Sequence, residues 1–295
     1  MKLLITGAAG MLGFDVLRVG EAAGHELVAV DVAASSPEGE LDITDARAVE
    51  AAFARIRPEA VINCAAWTDV DGAESHRESA HAVNADGAKN LALAAASGGV
   101  PLVHVSTDYV FSGEAFVDAS GAPRAYVESD PTGPRSVYGQ TKLEGEREVL
   151  AASSRHTVVR SAWLFGVGGR NFAQTMLTLA GEREAVQVVT DQVGCPTWTG
   201  HLAPALLGLL ERGVTGLVHL AGGGRVSWHD FAAEIFRQAE VDCRVEEATT
   251  AQMARPAPRP AWSALESERE DVIPLPPWQD GLAGYLAARA GIVRA

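Results

Sequence analysis

Short aliphatic and β-branched runs recur along the first half of the chain, at residues 2–6, 27–30, 60–63, 102–105 and 157–160. Between them lie stretches whose apolar residues return every three or four positions, predicting helices over 11–23, 45–57 (closed by Pro58), 78–96 (closed by Gly98 and Gly99) and 135–152. Strands alternating with helices predict a parallel sheet. The crossover from one parallel strand to the next is nearly always right-handed, so five repeats imply a doubly wound α/β sheet with helices on both faces. Beyond about Ser161 the pattern loosens into a helix over 171–180, a strand over 185–190, a helix over 200–212, a strand over 216–220 and a helix over 228–240 with Ser227 as N-cap. The three prolines of RPAPRPAWS (255–263) exclude helix and central strand, leaving an ordered loop or linker. A long aperiodic connection, 111–134, reads as a functional lid or as a surface insertion.

Composition narrows the function classes. At 295 residues, 47% hydrophobic and 21% charged, the chain is globular in character and long enough for one large or two ordinary domains. A net charge of −14 disfavours nucleic acid and anionic lipid surfaces as partners. No apolar run reaches the ~18 residues of a membrane span, and the N-terminus meets a glycine turn too early for a signal peptide. The cysteines Cys64, Cys195 and Cys243 are widely spaced and form no CxxC, as expected for reduced thiols in a cytoplasm. The histidines lack metal-ligand spacing; His76 and His81, five apart, face different sides of a helix, so no zinc site is expected.

The run GAAGMLG (7–13) joins the first strand to the first helix, the context in which a glycine pattern signals a dinucleotide. Gly7 permits the tight turn, Gly10 admits the pyrophosphate, and Gly13 lets the helix pack on its strand, while Met11 and Leu12 open the positive end of the helix dipole. Asp31, at the end of the second strand, is placed to accept hydrogen bonds from ribose hydroxyls. A 2′-phosphate would meet a like charge there, so the residues favour NADH over NADPH, with dual use open.

In YGQTK, Tyr138 and Lys142 are one helical turn apart and share a face. In VSTDYVF, Thr107 and Asp108 lie just past the fourth strand, at the sheet edge where open α/β folds bind ligands. A hydroxyl, a phenol and an ammonium make a carbonyl-reduction site, in which the ammonium together with a positively charged nicotinamide is expected to favour the phenolate and tune the tyrosine for proton transfer near neutral pH.

The sequence resembles the dTDP-4-dehydrorhamnose reductase family within the extended short-chain dehydrogenase/reductase superfamily. The resemblance spans nearly the whole chain through GAAGMLG, IRPEAVINCAAWTDVDGAE (56–74), VHVSTDYVFSG (103–113), VYGQTKLEGE (137–146), RSAWLFGVGGRNF (160–172), DQVGCPTWTG (191–200) and RPAPRPAWSAL (255–265). It implies a Rossmann domain over 1–165 and a mainly substrate-binding part over 166–295 that returns elements to the sheet. By this resemblance Tyr138 is the proton donor, Lys142 holds the nicotinamide ribose, and Thr107 bonds the sugar carbonyl. Asp42 and Ile43 flank the adenine, Ala65, Ala66, Trp67, Thr68 and Val105 line the cofactor cleft, and Thr107, Asp108, Trp163 and Asn171 lie at the deoxyhexose. The implied partners are NADPH or NADH and a dTDP-4-keto-6-deoxy sugar, and a homodimer fits the family. Some relatives hold Mg²⁺ between subunits; no residue here identifies such a site, and Asp15, the kind of residue that could serve, reads as a solvent-facing helix carboxylate. Just before the tyrosine stand Arg135 and Ser136, where relatives often carry Asn at the second position, so the hydrogen bonding of that turn is expected to differ. Arg170, Arg225, Arg255 and Arg259 are candidates for the substrate diphosphate.

Three alternatives stay open. A different dTDP-4-keto sugar would use the same site. A 4,6-dehydratase would need an acidic residue after Asp108, where this chain has Tyr109. A noncatalytic nucleotide-binding regulatory subunit would share the fold, because fold alone does not fix function.

Overall fold

The computed structural model describes residues 1–34, 36 and 39–293, without the side chains of Ile292 and Val293. The first half runs β1 (Lys2–Thr6), α1 (Met11–Ala22), β2 (Glu26–Val30), α2 (Ala46–Ile56), β3 (Ala60–Asn63), α3 (Val70–Ser75), α4 (Arg77–His81), a π turn (Ala82–Gly87), α5 (Ala88–Ser97) and β4 (Leu102–Thr107). After a short hairpin, β5 (Phe116–Val117) and β6 (Pro123–Arg124), come α6 (Val137–Ala152), β7 (Thr157–Ser161), β8 (Leu164–Phe165), α7 (Phe172–Ala180) and β9 (Ala185–Val189). The remainder is β10 (Val193–Gly194), β11 (Thr197–Trp198), α8 (Thr199–Arg212), β12 (Gly216–His219), β13 (Val226–Ser227), α9 (Trp228–Gln238), β14 (Arg244–Ala248), α10 (Thr250–Met253), β15 (Trp262–Ser263) and α11 (Trp278–Val293).

Six of these strands form one sheet in the order β12-β7-β4-β3-β1-β2, parallel at every pairing. Alternate residues of β1 serve opposite cores: Leu3 and Ile5 pack with Val16 of α1 and Leu202 and Leu206 of α8, whereas Leu4 packs with Val49 of α2 and Leu91 of α5. Covering both faces is what makes these strands continuously apolar. The sixth strand, β12, comes from the far half of the chain and closes one edge. A separate core of Phe165, Met176, Val186, Phe231, Ile235, Leu282 and Tyr285 holds α7, α9 and α11 together.

Three expectations need correction. The helix predicted over 78–96 is broken: α4 passes through the π turn before α5 begins. The extra backbone residue buries Asn84, whose side chain accepts from Trp67 N–H (2.9 Å) and donates to Thr141 Oγ1 (3.1 Å). Asp15 is not solvent-facing but 4% exposed, accepting from Thr199 Oγ1 (2.6 Å) and Arg18, so it clamps α1 to α8. The 111–134 connection is not aperiodic throughout: it carries the β5–β6 hairpin. Past the hairpin, Tyr126 exchanges backbone bonds with Ala264 and Glu266, and Glu128 accepts from His219 N–H and Ser267 Oγ, tying that part to the rest of the fold.

Candidate active site

Strand order reverses between β1 and β3, and the crevice at their carboxyl ends is where such sheets take ligands. Gly7 turns there with φ +69°, so close to Ala65 that a Cβ would sit 2.5 Å from its backbone nitrogen. A Cβ at Gly13 would strike the Gly7 carbonyl. Protein neighbours thus explain two of the three glycines. At Gly10 a Cβ would meet only Gly7 O, at 3.3 Å, so the bare Cα keeps open the approach to the start of α1.

That helix start is built for an anion. Helices α2, α3, α6, α7 and α9 begin on Asp45, Asp69, Ser136, Asn171 and Ser227, each capping with its side chain, whereas Gly10 offers α1 no side-chain cap. The first N–H groups of α1 and its dipole fit a pyrophosphate. Asp31 reaches this loop, one oxygen accepting from Ala9 N–H (3.1 Å) and the other from Ala33 N–H (2.9 Å). Met11 is half-buried against Gly169 and Asn171, and Leu12 lies in the core. Ile43 is buried against the Gly87 backbone; Asp42 is exposed and spends its carboxylate on Thr44.

The opposite wall comes from β4 and α6. Ser136 caps α6 by accepting from Gly139 N–H (3.1 Å), which supplies the bonding expected to differ at the Arg135–Ser136 turn. One turn apart, Tyr138 and Lys142 face the end of β4, where Lys142 Nζ donates to Val105 O (2.7 Å). Thr107 Oγ1 donates to Asp108 (3.2 Å), and Tyr109 packs edge-on to Tyr138 with ring centres 5.5 Å apart. The loop Cys64–Thr68 closes the crevice between these walls, Trp67 being fixed through its backbone by Asn84.

Burial governs the electrostatics. It pushes the Tyr138 phenol up to about 12, opposed by Thr107 and reinforced by the Asp108 charge. Lys142, 2% exposed, is itself driven down to about 8 by burial despite Glu146. Burial likewise raises Asp108 to about 6 and Cys64 to about 12. Asp108 Oδ2 and the hydroxyls of Ser161 and Ser263 are buried without a hydrogen-bond partner.

Trp163 stands beyond this set with a left-handed backbone (φ +50°), stacked at 3.5 Å on Trp228 and half-exposed. Asn171 is largely committed to the backbone: it accepts from Gln174 N–H and donates to Gly166 O (2.7 Å). Three of the four candidate arginines have protein partners. Arg255 and Arg259 both reach Asp71, at 3.3 and 2.9 Å, and Arg225 covers the Trp262 ring. No cluster of metal-ligating side chains exists among the described residues, and no helix there is long and apolar enough to cross a membrane. All three cysteines are free thiols.

Sequence reasoning passed over Asn63, Asn84, His104, Glu146 and Ser263. The signal for His104 was present: a polar residue within the otherwise apolar run 102–105. Ser263 had none, lying in the proline-rich stretch far along the chain from Thr107 and Asp108.

A glycine turn at the switch point of a doubly wound sheet, facing a Thr/Tyr/Lys set, defines the extended short-chain dehydrogenase/reductase class. The chain belongs to the family described as the RmlD substrate binding domain, whose model matches residues 1–290. It is 44% identical over 296 residues to dTDP-4-dehydrorhamnose reductase of Mycobacterium tuberculosis, covering 98% of this chain and 93% of the relative. It is also 44% identical over 292 residues to a probable dTDP-4,6-dihydroxy-2-methyloxan-3-one 4-ketoreductase of Streptomyces antibioticus, covering 96% and 93%. The crystal structure of dTDP-4-dehydrorhamnose reductase from Bacillus anthracis in complex with NADP superposes with TM-score 0.90 at 33% identity, covering 97% of this chain and 99% of that one.

Proposed function

We propose that this protein is a nicotinamide-dependent oxidoreductase that reduces the C4 ketone of dTDP-4-dehydro-β-L-rhamnose to dTDP-L-rhamnose. The observation that carries the reading is the meeting of Thr107, Tyr138 and Lys142 at the end of β4, across the crevice from the uncapped start of α1. The reduced nicotinamide, when bound, supplies the hydride. Tyr138 gives its phenolic proton to the ketone oxygen; a phenol held up at about 12 is protonated at neutral pH, the state that reduction requires. Thr107 orients the same oxygen through its hydroxyl. Lys142 holds the ribose. Trp163 offers its open face to the deoxyhexose, and Asp108 with Ser263 offers buried polar atoms to its hydroxyls.

Ala65, Ala66, Trp67, Thr68 and Val105 line the nicotinamide side of the crevice, and Gly7, Gly10 and Gly13 the pyrophosphate side. Asp31 supports NADH as the preferred cofactor, because a 2′-phosphate beside its carboxylate finds no Lys or Arg between residues 31 and 46. The elimination chemistry of a dehydratase lacks its second acid: Tyr109 follows Asp108, its phenol pushed up by burial.

The test is oxidation of NADH and NADPH in turn, followed by absorbance, with freshly made dTDP-4-keto-6-deoxy-L-mannose. Oxidation that stops when the keto sugar is exhausted, with dTDP-L-rhamnose as product, is the expected result. Cofactor binding with no oxidation would overturn the reading in favour of another keto sugar or a noncatalytic subunit.

A further inference from the structure

Beneath the crevice a polar row crosses three strands of the sheet. Thr6, Asn63 and His104 are lateral neighbours in register on β1, β3 and β4, and all are buried. The row ends at Lys142 Nζ, 3.3 Å from His104 Nε2.

The hydrogen-bond logic of this row leaves one arrangement. Asn63 Oδ1 accepts from the backbone N–H of Ala65 (3.0 Å) and from Thr6 Oγ1 (2.7 Å). A backbone N–H only donates, so that end of the amide is its oxygen, and its NH₂ end faces His104 Nδ1 at 2.9 Å. An NH₂ group also only donates, so Nδ1 must be the bare nitrogen. A neutral imidazole then carries its proton on Nε2, aimed at Lys142, and a charged ring would set a second N–H against the Asn63 donor. An ammonium at Lys142 has a good acceptor in Val105 O but meets an N–H in His104; a neutral amine satisfies both, donating to one and accepting from the other.

We propose that His104, locked by Asn63 with its proton on Nε2, is a positioning residue that biases Lys142 towards its neutral amine. The charged and titratable groups around Lys142 define what this contact opposes. Glu146, one turn on along α6, and Cys64, at the end of β3, favour the ammonium, and Tyr138 lies one turn back. Burial opposes them and brings Lys142 down to about 8, and the same burial holds His104 well below its usual range. The consequence is a lysine that changes charge near physiological pH beside the proton donor. The inference deepens the role proposed above for Lys142, and its test needs no turnover, so failure of one is distinguishable from failure of the other.

The test is nuclear magnetic resonance on the folded chain. The chain has only Lys2, Lys89 and Lys142 as lysines, so ε-¹³C-lysine signals are few and Lys142→Met assigns the buried one. In the unmodified protein, ¹⁵N-histidine spectra should show His104 protonated on Nε2 and bare on Nδ1. Protonation on Nδ1, or on both nitrogens, overturns the proposal. In Asn63→Asp the carboxylate accepts from Ala65 and also from His104, moving the ring proton to Nδ1 and turning a lone pair towards Lys142. The Lys142 midpoint should rise by about one pH unit with that tautomer change. A rise without the tautomer change is a charge effect alone and overturns the proposal, as does no rise. His104→Gln adds no charge and lets an amide oxygen face the ammonium, so it should raise the midpoint too; an unchanged or lowered midpoint there also overturns it.

Discussion

Glu146 and Arg160 meet inside the protein as a two-pronged ion pair, with Nε–Oε1 at 2.9 Å and the Nη2–Oε2 contact at 2.7 Å. Ser106 donates to the same carboxylate (2.6 Å), and the guanidinium lies over the Phe111 ring. Because Glu146 continues the face that carries Tyr138 and Lys142, this pair ties that face of α6 to β4 and β7. Removing one partner strands a buried charge, so Glu146→Leu should destabilise the fold by about 3–5 kcal/mol in urea denaturation. Combining it with Arg160→Met should recover most of that loss, since replacing a whole buried pair with apolar groups is often neutral.

Tyr138→Phe removes the proposed proton donor and keeps the ring that packs against Tyr109. Turnover should fall by about 10²–10⁴-fold, while NADH affinity by fluorescence titration stays within a few-fold. Loss of the folded state in this variant would assign Tyr138 to packing instead.

At Asp31 the expected effect is on cofactor choice. Asp31→Ala should narrow the ratio of kcat/KM for NADH over NADPH by removing the charge beside the ribose. It should also loosen the glycine loop, which loses the acceptor for Ala9 N–H, so cofactor affinity should fall for both. An unchanged ratio would take Asp31 out of the ribose site.

Asp108 should make the fold sensitive to pH. Its carboxyl is raised from 3.8 to about 6 by burial, so between those values the native state binds more protons than the unfolded chain. Stability from this group is therefore present below about pH 3.8 and lost as pH rises through about 6. Asp108→Asn should gain about 3 kcal/mol near pH 8 and almost nothing near pH 4, read by denaturant midpoints at the two pH values. The gain should come with slower reduction of the keto sugar, a trade familiar where a binding site buries a charge.

The sheet was legible because strands covered on both faces must be apolar throughout: residues 2–6 and 60–63 were predicted with the bounds the structure shows. The cap Ser227 was equally plain, its hydroxyl accepting from the N–H three residues along. What escaped depends on partners distant in the chain. Asp15 reads as solvated until Thr199 arrives from 184 residues away. The π turn is favourable only because Asn84 then reaches Trp67 and Thr141. The closing helix α11 was not foreseen, its Gly- and Ala-rich sequence showing no single apolar stripe. At the site, the types of the reacting groups were readable, but their charge states were not, because burial depends on the assembled fold.

The double hold of Arg255 and Arg259 on Asp71 joins the proline-rich segment to α3, in the first half of the chain. Under the proposed function, sugar preference is therefore not a cassette. A chimera that grafts the final third of a relative onto this first half inherits Asp71 and must answer it with cations at matching places. Breeding new specificities by exchange of segments should accordingly succeed only when position 71 and the proline-rich segment travel together.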